Sequence, residues 1–160
     1  REEISMADGM VDGAPANEDS YGIIQGDGGA VDKIAGNNEN NILQGHAKFN
    51  QYYGGGGDDT FKLVSKYALE NGTHIGESTV FDDQFAYIVD FQGAGVAGGD
   101  FIVFDGFDAT TLTLNHTGAT DAKGHTLYYY SVDDELGNTY NFIINSLSGS
   151  ELGQGDYNFY

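Results

Sequence analysis

The sequence predicts an all-β chain on three observations: a composition hostile to helices, short apolar runs punctuated by glycine, and a nine-residue period between residues 27 and 62. Glycine supplies 25 of 160 residues and Pro15 is the single proline, while asparagine, tyrosine and phenylalanine are abundant. Glycine and asparagine weaken helices, and aromatic side chains favour strands. A chain of this length fits one domain. Its patterning divides it into an N-terminal extension (1–26), the repeats (27–62) and C-terminal strands (63–160).

The period is clearest at Gly54-Gly55-Gly56-Gly57-Asp58-Asp59-Thr60-Phe61-Lys62, which fits G-G-x-G-x-D-x-U-x at every fixed place. Glycines let the backbone turn tightly with carbonyls inward, and a hard cation such as calcium takes six to eight oxygen ligands. One such unit alone would read as a glycine-rich surface turn beside a strand. Counting back in nines gives units that begin at Gly45, Gly36 and Asp27, without gap or insertion. The sixth place then reads Asp32, Asn41, Asn50 and Asp59, and the eighth reads Ile34, Leu43, Tyr52 and Phe61. An irregular loop does not keep both columns. Ile24 lies ten residues before Ile34, which leaves room for a fifth rung with a turn one residue longer.

These units resemble the haemolysin-type (RTX) nonapeptide repeats of exported bacterial proteins. The resemblance implies a parallel β-roll in which each unit makes a six-residue turn and a three-residue strand, with calcium held between turns two units apart. Carried over, Asp32 faces Asn50 and Asn41 faces Asp59, and backbone carbonyls of residues such as Asp27, Gly29, Gly36, Gly45, Gly54 and Gly56 complete the shells. The family generally has aspartate at the sixth place, whereas here each facing pair holds one Asp and one Asn. Asparagine offers an oxygen without charge, so weak sites are expected, with dissociation constants of about 10⁻⁴ to 10⁻³ M. One or two formed sites are expected, and the unit from Gly45 to Tyr53 is expected to be the most degenerate.

After Lys62 the period stops. Residues 63–77 read as a loop or one short helix. Two apolar strands follow, Phe85–Gln92 and Gly99–Phe107, and the turn between them together with the first residue of the second strand holds four glycines, Gly93, Gly95, Gly98 and Gly99. They resemble the segment after the repeats in serralysin-type C-terminal domains and mannuronan epimerase R-modules, where such strands continue the roll. Asp90 and Asp100 are either ligands or turn caps. An antiparallel meander or sandwich is expected from the strands Thr111–Asn115, His125–Val132 and Thr139–Asn145, which alternate in polarity. The end, Asp156-Tyr-Asn-Phe-Tyr160, is a last strand and resembles the close of type I secretion target domains. The first twenty residues, around Pro15, suit an irregular or edge segment.

The formal charge of −19 repels polyanions, so nucleic acid and an anionic membrane surface are poor partners and cations are natural ones. Acidity also keeps a secreted protein soluble. The chain contains no cysteine, which excludes disulfides and thiolate sites. No apolar run approaches a membrane span, and the acidic N-terminus does not suit a Sec signal. A start at Arg1 and not at methionine leads to the expectation of an upstream part removed by processing or design. His46, His74, His116 and His125 lack zinc-protease spacing, and neither a nucleophile elbow nor a phosphate loop is present. Adjacent carboxylates at Asp82-Asp83 and Asp133-Asp134 read as solvated turns, so the chain reads as non-enzymatic. Asn71-Gly-Thr73 and Asn115-His-Thr117 match a glycosylation sequon, which carries little weight in a chain of bacterial character.

Tyr128, Tyr129 and Tyr130 either display aromatics to a sugar or protein partner or cover the open end of the roll. The expectation is a secreted, extracellular or cell-surface calcium-binding module that folds on calcium after type I export, with a structural, adhesive or targeting role. The alternatives are a self-assembling subunit of a filament or surface layer, whose partner is a second copy, and a polysaccharide-binding module.

Overall fold

The computed structural model describes residues 7–65, 84–96, 98–107, 111–133 and 139–160. These residues form an all-β molecule of two sheets with a shared core. The repeat region supplies β4 (Val31–Ala35), β5 (Ile42–Gln44), β6 (Phe49–Tyr53) and β7 (Thr60–Val64). Successive strands enter alternate sheets, so each pairs in parallel with the strand two further on, β4 with β6 and β5 with β7. Every nine residues the chain therefore crosses from one sheet to the other. That is why the eighth-place side chains all reach one interior: Ile34, Leu43, Tyr52 and Phe61 are at most 1% exposed.

The coil extends on both sides of the repeats. β3 (Ile23–Gln25) pairs in parallel with β5 and buries Ile24, so the fifth rung exists. β8 (Gln84–Phe91) continues one sheet beside β6, and β9 (Phe101–Asp105) continues the other beside β7. The N-terminal extension is an edge hairpin of β1 (Gly9–Val11) and β2 (Ala14–Ala16), with β1 antiparallel to β4. Gly9 packs there against the Ala35 carbonyl, where a Cβ would collide.

The antiparallel strands β10 (Leu112–Thr120), β11 (Thr126–Asp133) and β12 (Thr139–Ser146) form the expected meander, though not a separate layer. β12 pairs in parallel with β8, so the meander widens the β4–β6–β8 sheet to eight strands in the order β10-β11-β12-β8-β6-β4-β1-β2. The tail strand β13 (Tyr157–Phe159) joins β9 in parallel and makes the second sheet β13-β9-β7-β5-β3. Tyr128 and Tyr130 face the core and Tyr129 faces outward, as the two-residue period of a strand requires. The inward pair anchors the tail: Tyr128 Oη donates to the Gly149 carbonyl at 2.6 Å, and Tyr130 Oη accepts the Leu152 amide at 2.9 Å. Rings fill the wide end of the core, with Tyr130 stacked on Phe142 and Phe104 stacked on Phe159.

Most of the loop or helix expected at 63–77, with His74, the Asn71 sequon and the Asp82-Asp83 pair, lies outside the described residues; so does most of the turn after Asp133. Among the described residues no helix is long and apolar enough to cross a membrane.

Phe61→Ala, a truncation at the fully buried last rung of the repeat ladder, should lower unfolding free energy by about 3–5 kcal/mol in urea denaturation. Tyr21→Ala, at a side chain 82% exposed, should change it by less than about 0.5 kcal/mol.

Candidate metal centre

The turns between strands stack in two columns. On one side the turn after Gly26 meets the turn after Gly45, with the Lys48 amide donating to the Gly29 carbonyl at 3.1 Å. On the other, the turn after Gly36 meets the turn after Gly54. There Gly55 (φ 84°) and Gly57 (φ 85°) adopt the left-handed backbone that favours glycine. A Cβ on either would also strike a carbonyl of the stacked turn, that of Asn37 or Glu39.

All four sixth-place side chains are buried, at 0–4% exposure, and each folds back over the opening of its own turn. A Cβ at Gly36, Gly45 or Gly54 would collide with Asn41, Asn50 or Asp59 respectively. In the first unit Gly26, not Asp27, occupies this position against Asp32, because that turn is one residue longer. The glycine that opens each unit is thus dictated by the polar side chain that closes its turn.

Those side chains satisfy turn amides that no ladder can reach. The Asp32 carboxylate accepts from Gly28 N at 3.1 Å and, across the stack, from His46 N at 2.8 Å. Asn41 Oδ1 accepts from Asn37 N at 2.8 Å. Asn50 Oδ1 accepts from Ala47 N, and its Nδ2 donates to the carbonyls of Ala47 and Phe85. Asp59 Oδ1 accepts from Asn41 N at 2.9 Å. Asp32 and Asn50 are register partners, and the Asn41 amide contacts Asp59.

Asp90 and Asp100 act as caps in this structure. Asp90 accepts the amides of Gly54 (2.8 Å) and Gly55 (2.9 Å), and Asp100 accepts those of Asp59 (2.8 Å) and Gln92 (2.9 Å). Asp156, absent from the sequence-derived set, repeats the device on Gly95 and Gly153.

Among the described residues, two places gather oxygen donors suited to a hard cation. In the first, one carboxylate oxygen from each of Asp12, Asp27 and Asp32 lies within 4.8 Å of the others. Burial chiefly, then the neighbouring Asp27 carboxylate, pushes the Asp12 carboxyl upward, against the opposing pull of the Lys33 amide and ammonium. Asp12 was not apparent from the repeat because it comes from the β1–β2 hairpin. Its one local signal is the Asp12-Gly13 turn dipeptide.

In the second place, Asp59 Oδ2 is buried without a hydrogen-bond partner. Burial, reinforced by Asp100, Asp90 and Asp58, pushes the Asp59 carboxyl up to about 7. Burial likewise pushes Asp100 up to about 6, with Asp90 and Asp58 adding to it. The donors in both places are carboxylate, amide and carbonyl oxygens, which fit calcium or magnesium better than a soft metal. The Asn41 amide Nδ2 is also buried and unpartnered, and as a donor it contributes nothing to a cation.

No family model, curated protein or solved structure matches the chain.

Asp59 and Asp100 hold protons in the fold at pH values where the unfolded chain, with aspartate near 3.8, has lost them. The folded state therefore binds more protons between about pH 4 and 7, and stability falls as pH rises through that window and levels off above it. Melting curves in chelator from pH 4.5 to 8 should show this decline, and Asp59→Asn should flatten its upper part. A melting temperature that climbs across the range would contradict the assignment.

Proposed function

We infer that the chain is a secreted or cell-surface calcium-binding module of the RTX β-roll type, with a structural, adhesive or targeting role and no catalytic one, folding on calcium after export. The observation that carries this reading is the stacking of turns two units apart, with a buried sixth-place side chain in every turn and an unpartnered carboxylate oxygen at Asp59. The oxygen-only donor sets and the net charge of −19 support it as well.

The chain's own residues supply the linkage. Asp12, Asp27 and Asp32 repel one another at close range, and Asp59 is buried among Asp58, Asp90 and Asp100, so the acidic turns oppose folding at neutral pH. A bound calcium ion would supply the compensating positive charge, and its binding free energy would become folding free energy. Asp12, Asp27 and Asp32 would hold it at one end of the coil, and Asp59 with turn carbonyls at the other. Asn50, with both ends of its amide engaged by backbone, leaves the Gly45–Tyr53 unit the poorest contributor.

At about 10 mM calcium, a site with a dissociation constant of 10⁻⁴ to 10⁻³ M adds about 1.4 to 2.7 kcal/mol. For a chain of this size that raises the melting temperature by roughly 3 to 11 °C per site over the value in chelator. Sodium chloride at matched ionic strength should reproduce only the screening part. Asp12→Asn should remove the increment of the first site while leaving the chelated protein at least as stable. Identical melting curves in calcium and in chelator at equal ionic strength would sink the reading.

A further inference from the structure

The strand registers line up one transverse row on the outer face of the eight-stranded sheet. Lys33 pairs with Gln51, Gln51 with Tyr87, Tyr87 with Ile143, Ile143 with Tyr129, and Tyr129 with His116. The row crosses six strands, a length of roughly 24 Å at the usual strand spacing. Ile143 is 1% exposed yet does not belong to the interior cluster, so it is shielded from the outside, where Tyr87 and Tyr129 flank it. Tyr87 and Tyr129 are themselves only partly buried, so each keeps part of its surface open on this face. His116 extends that platform, its ring centroid 5.3 Å from that of Tyr129. Tyr53, 38% exposed, extends it on the other side.

We propose that this row is a binding track for a neutral, extended β-1,4-linked polysaccharide lying across the strands. Pyranose rings stack their C–H faces on aromatic rings, and their hydroxyls bond to amides. The row has both, because the outward positions of β12 on either side of Ile143 are Asn141 and Asn145, and Gln51 lies in the row itself. Tyr87 and Tyr129 stand two strands apart, roughly 9.6 Å. That is close to the length of a disaccharide in an extended β-linked chain, so alternate sugars meet a ring. Beside the row, a groove of about 260 Å³ between Tyr87, Leu127, Asn145, Thr120 and His125 gives room for a branch or a chain end. The net charge of −19 selects against anionic glycans. The proposal does not depend on calcium binding.

The test is affinity electrophoresis and titration calorimetry of the protein, with near-UV circular dichroism to check the fold. The probes are soluble neutral β-1,4-linked glucan, xylan and mannan, with polygalacturonate as the anionic counterpart. At least one neutral probe should retard the protein, and polygalacturonate should not. Tyr129→Ala and Tyr87→Ala should each weaken binding by roughly threefold to tenfold, the cost of one lost aromatic contact. Tyr129→Phe should keep it, and Tyr21→Ala should leave it unchanged. Retardation by no neutral probe, equal retardation by polygalacturonate, or affinity unmoved in correctly folded Tyr87→Ala/Tyr129→Ala protein would overturn the proposal. A dimer in sedimentation velocity that Tyr129→Ala dissolves would instead assign the face to a second copy of the chain.

Discussion

Everything in the coil depends on one small constraint: a tight turn has amides that no neighbouring strand can satisfy, and each turn must lie at strand spacing from the next. Water cannot serve amides enclosed between stacked turns, so the acceptor has to come from the chain itself. A short polar side chain five residues after the turn opens is long enough to fold back and too short to reach elsewhere. Asn41, Asn50 and Asp59 do this, and the space they occupy forces glycine at Gly36, Gly45 and Gly54. The motif's glycine and its Asp or Asn are therefore one interaction seen at two positions.

Regular turns produce the ladder inside. Because each crossing takes nine residues, the eighth place always arrives at the same depth, and Ile34, Leu43, Tyr52 and Phe61 pack in sequence with edge contacts such as Tyr52 on Phe61. Beyond Phe61 the period is lost while the capping device persists in looser spacing. Asp90 reaches back to Gly54 and Gly55, Asp100 to the amide of Asp59, and Asp156 to Gly95. The coil thus continues through β8 and β9 without the nonapeptide, carried by carboxylates that act over long sequence separations.

That difference in range decides what the sequence could reveal. The repeat is local, so the four turns and their strands follow from spacing, which also leaves room for the rung at Ile24, while the facing pairs come from the family resemblance. The alternation of β11 says that Tyr128 and Tyr130 share one face and Tyr129 takes the other, but which of the two faces meets Phe142 is a packing fact. Asp12 joins Asp27 and Asp32 only because a hairpin crosses onto β4, and no period connects it to them. The Tyr87–Ile143–Tyr129 row needs the parallel junction of β8 with β12, a pairing between strands far apart in sequence. Ile143 itself looks like a core residue in sequence, and it is buried from the wrong side.

The order Asp, Asn, Asn, Asp at the sixth place follows from the same geometry. Because stacked turns are two units apart, this order puts one carboxylate in each facing pair, Asp32 with Asn50 and Asn41 with Asp59, and never two. Two carboxylates facing each other at such burial could not both ionise without a compensating charge. An amide opposite a carboxylate keeps the cap and removes the direct repulsion between partners. The residual strain is confined to places where a further carboxylate approaches from outside the repeat, Asp12 at one end and Asp100 with Asp90 at the other. A chain with aspartate at all four places would bind cations more tightly and depend on them more completely. Here the alternation closes every turn with a side chain that does not face a second carboxylate from the repeat.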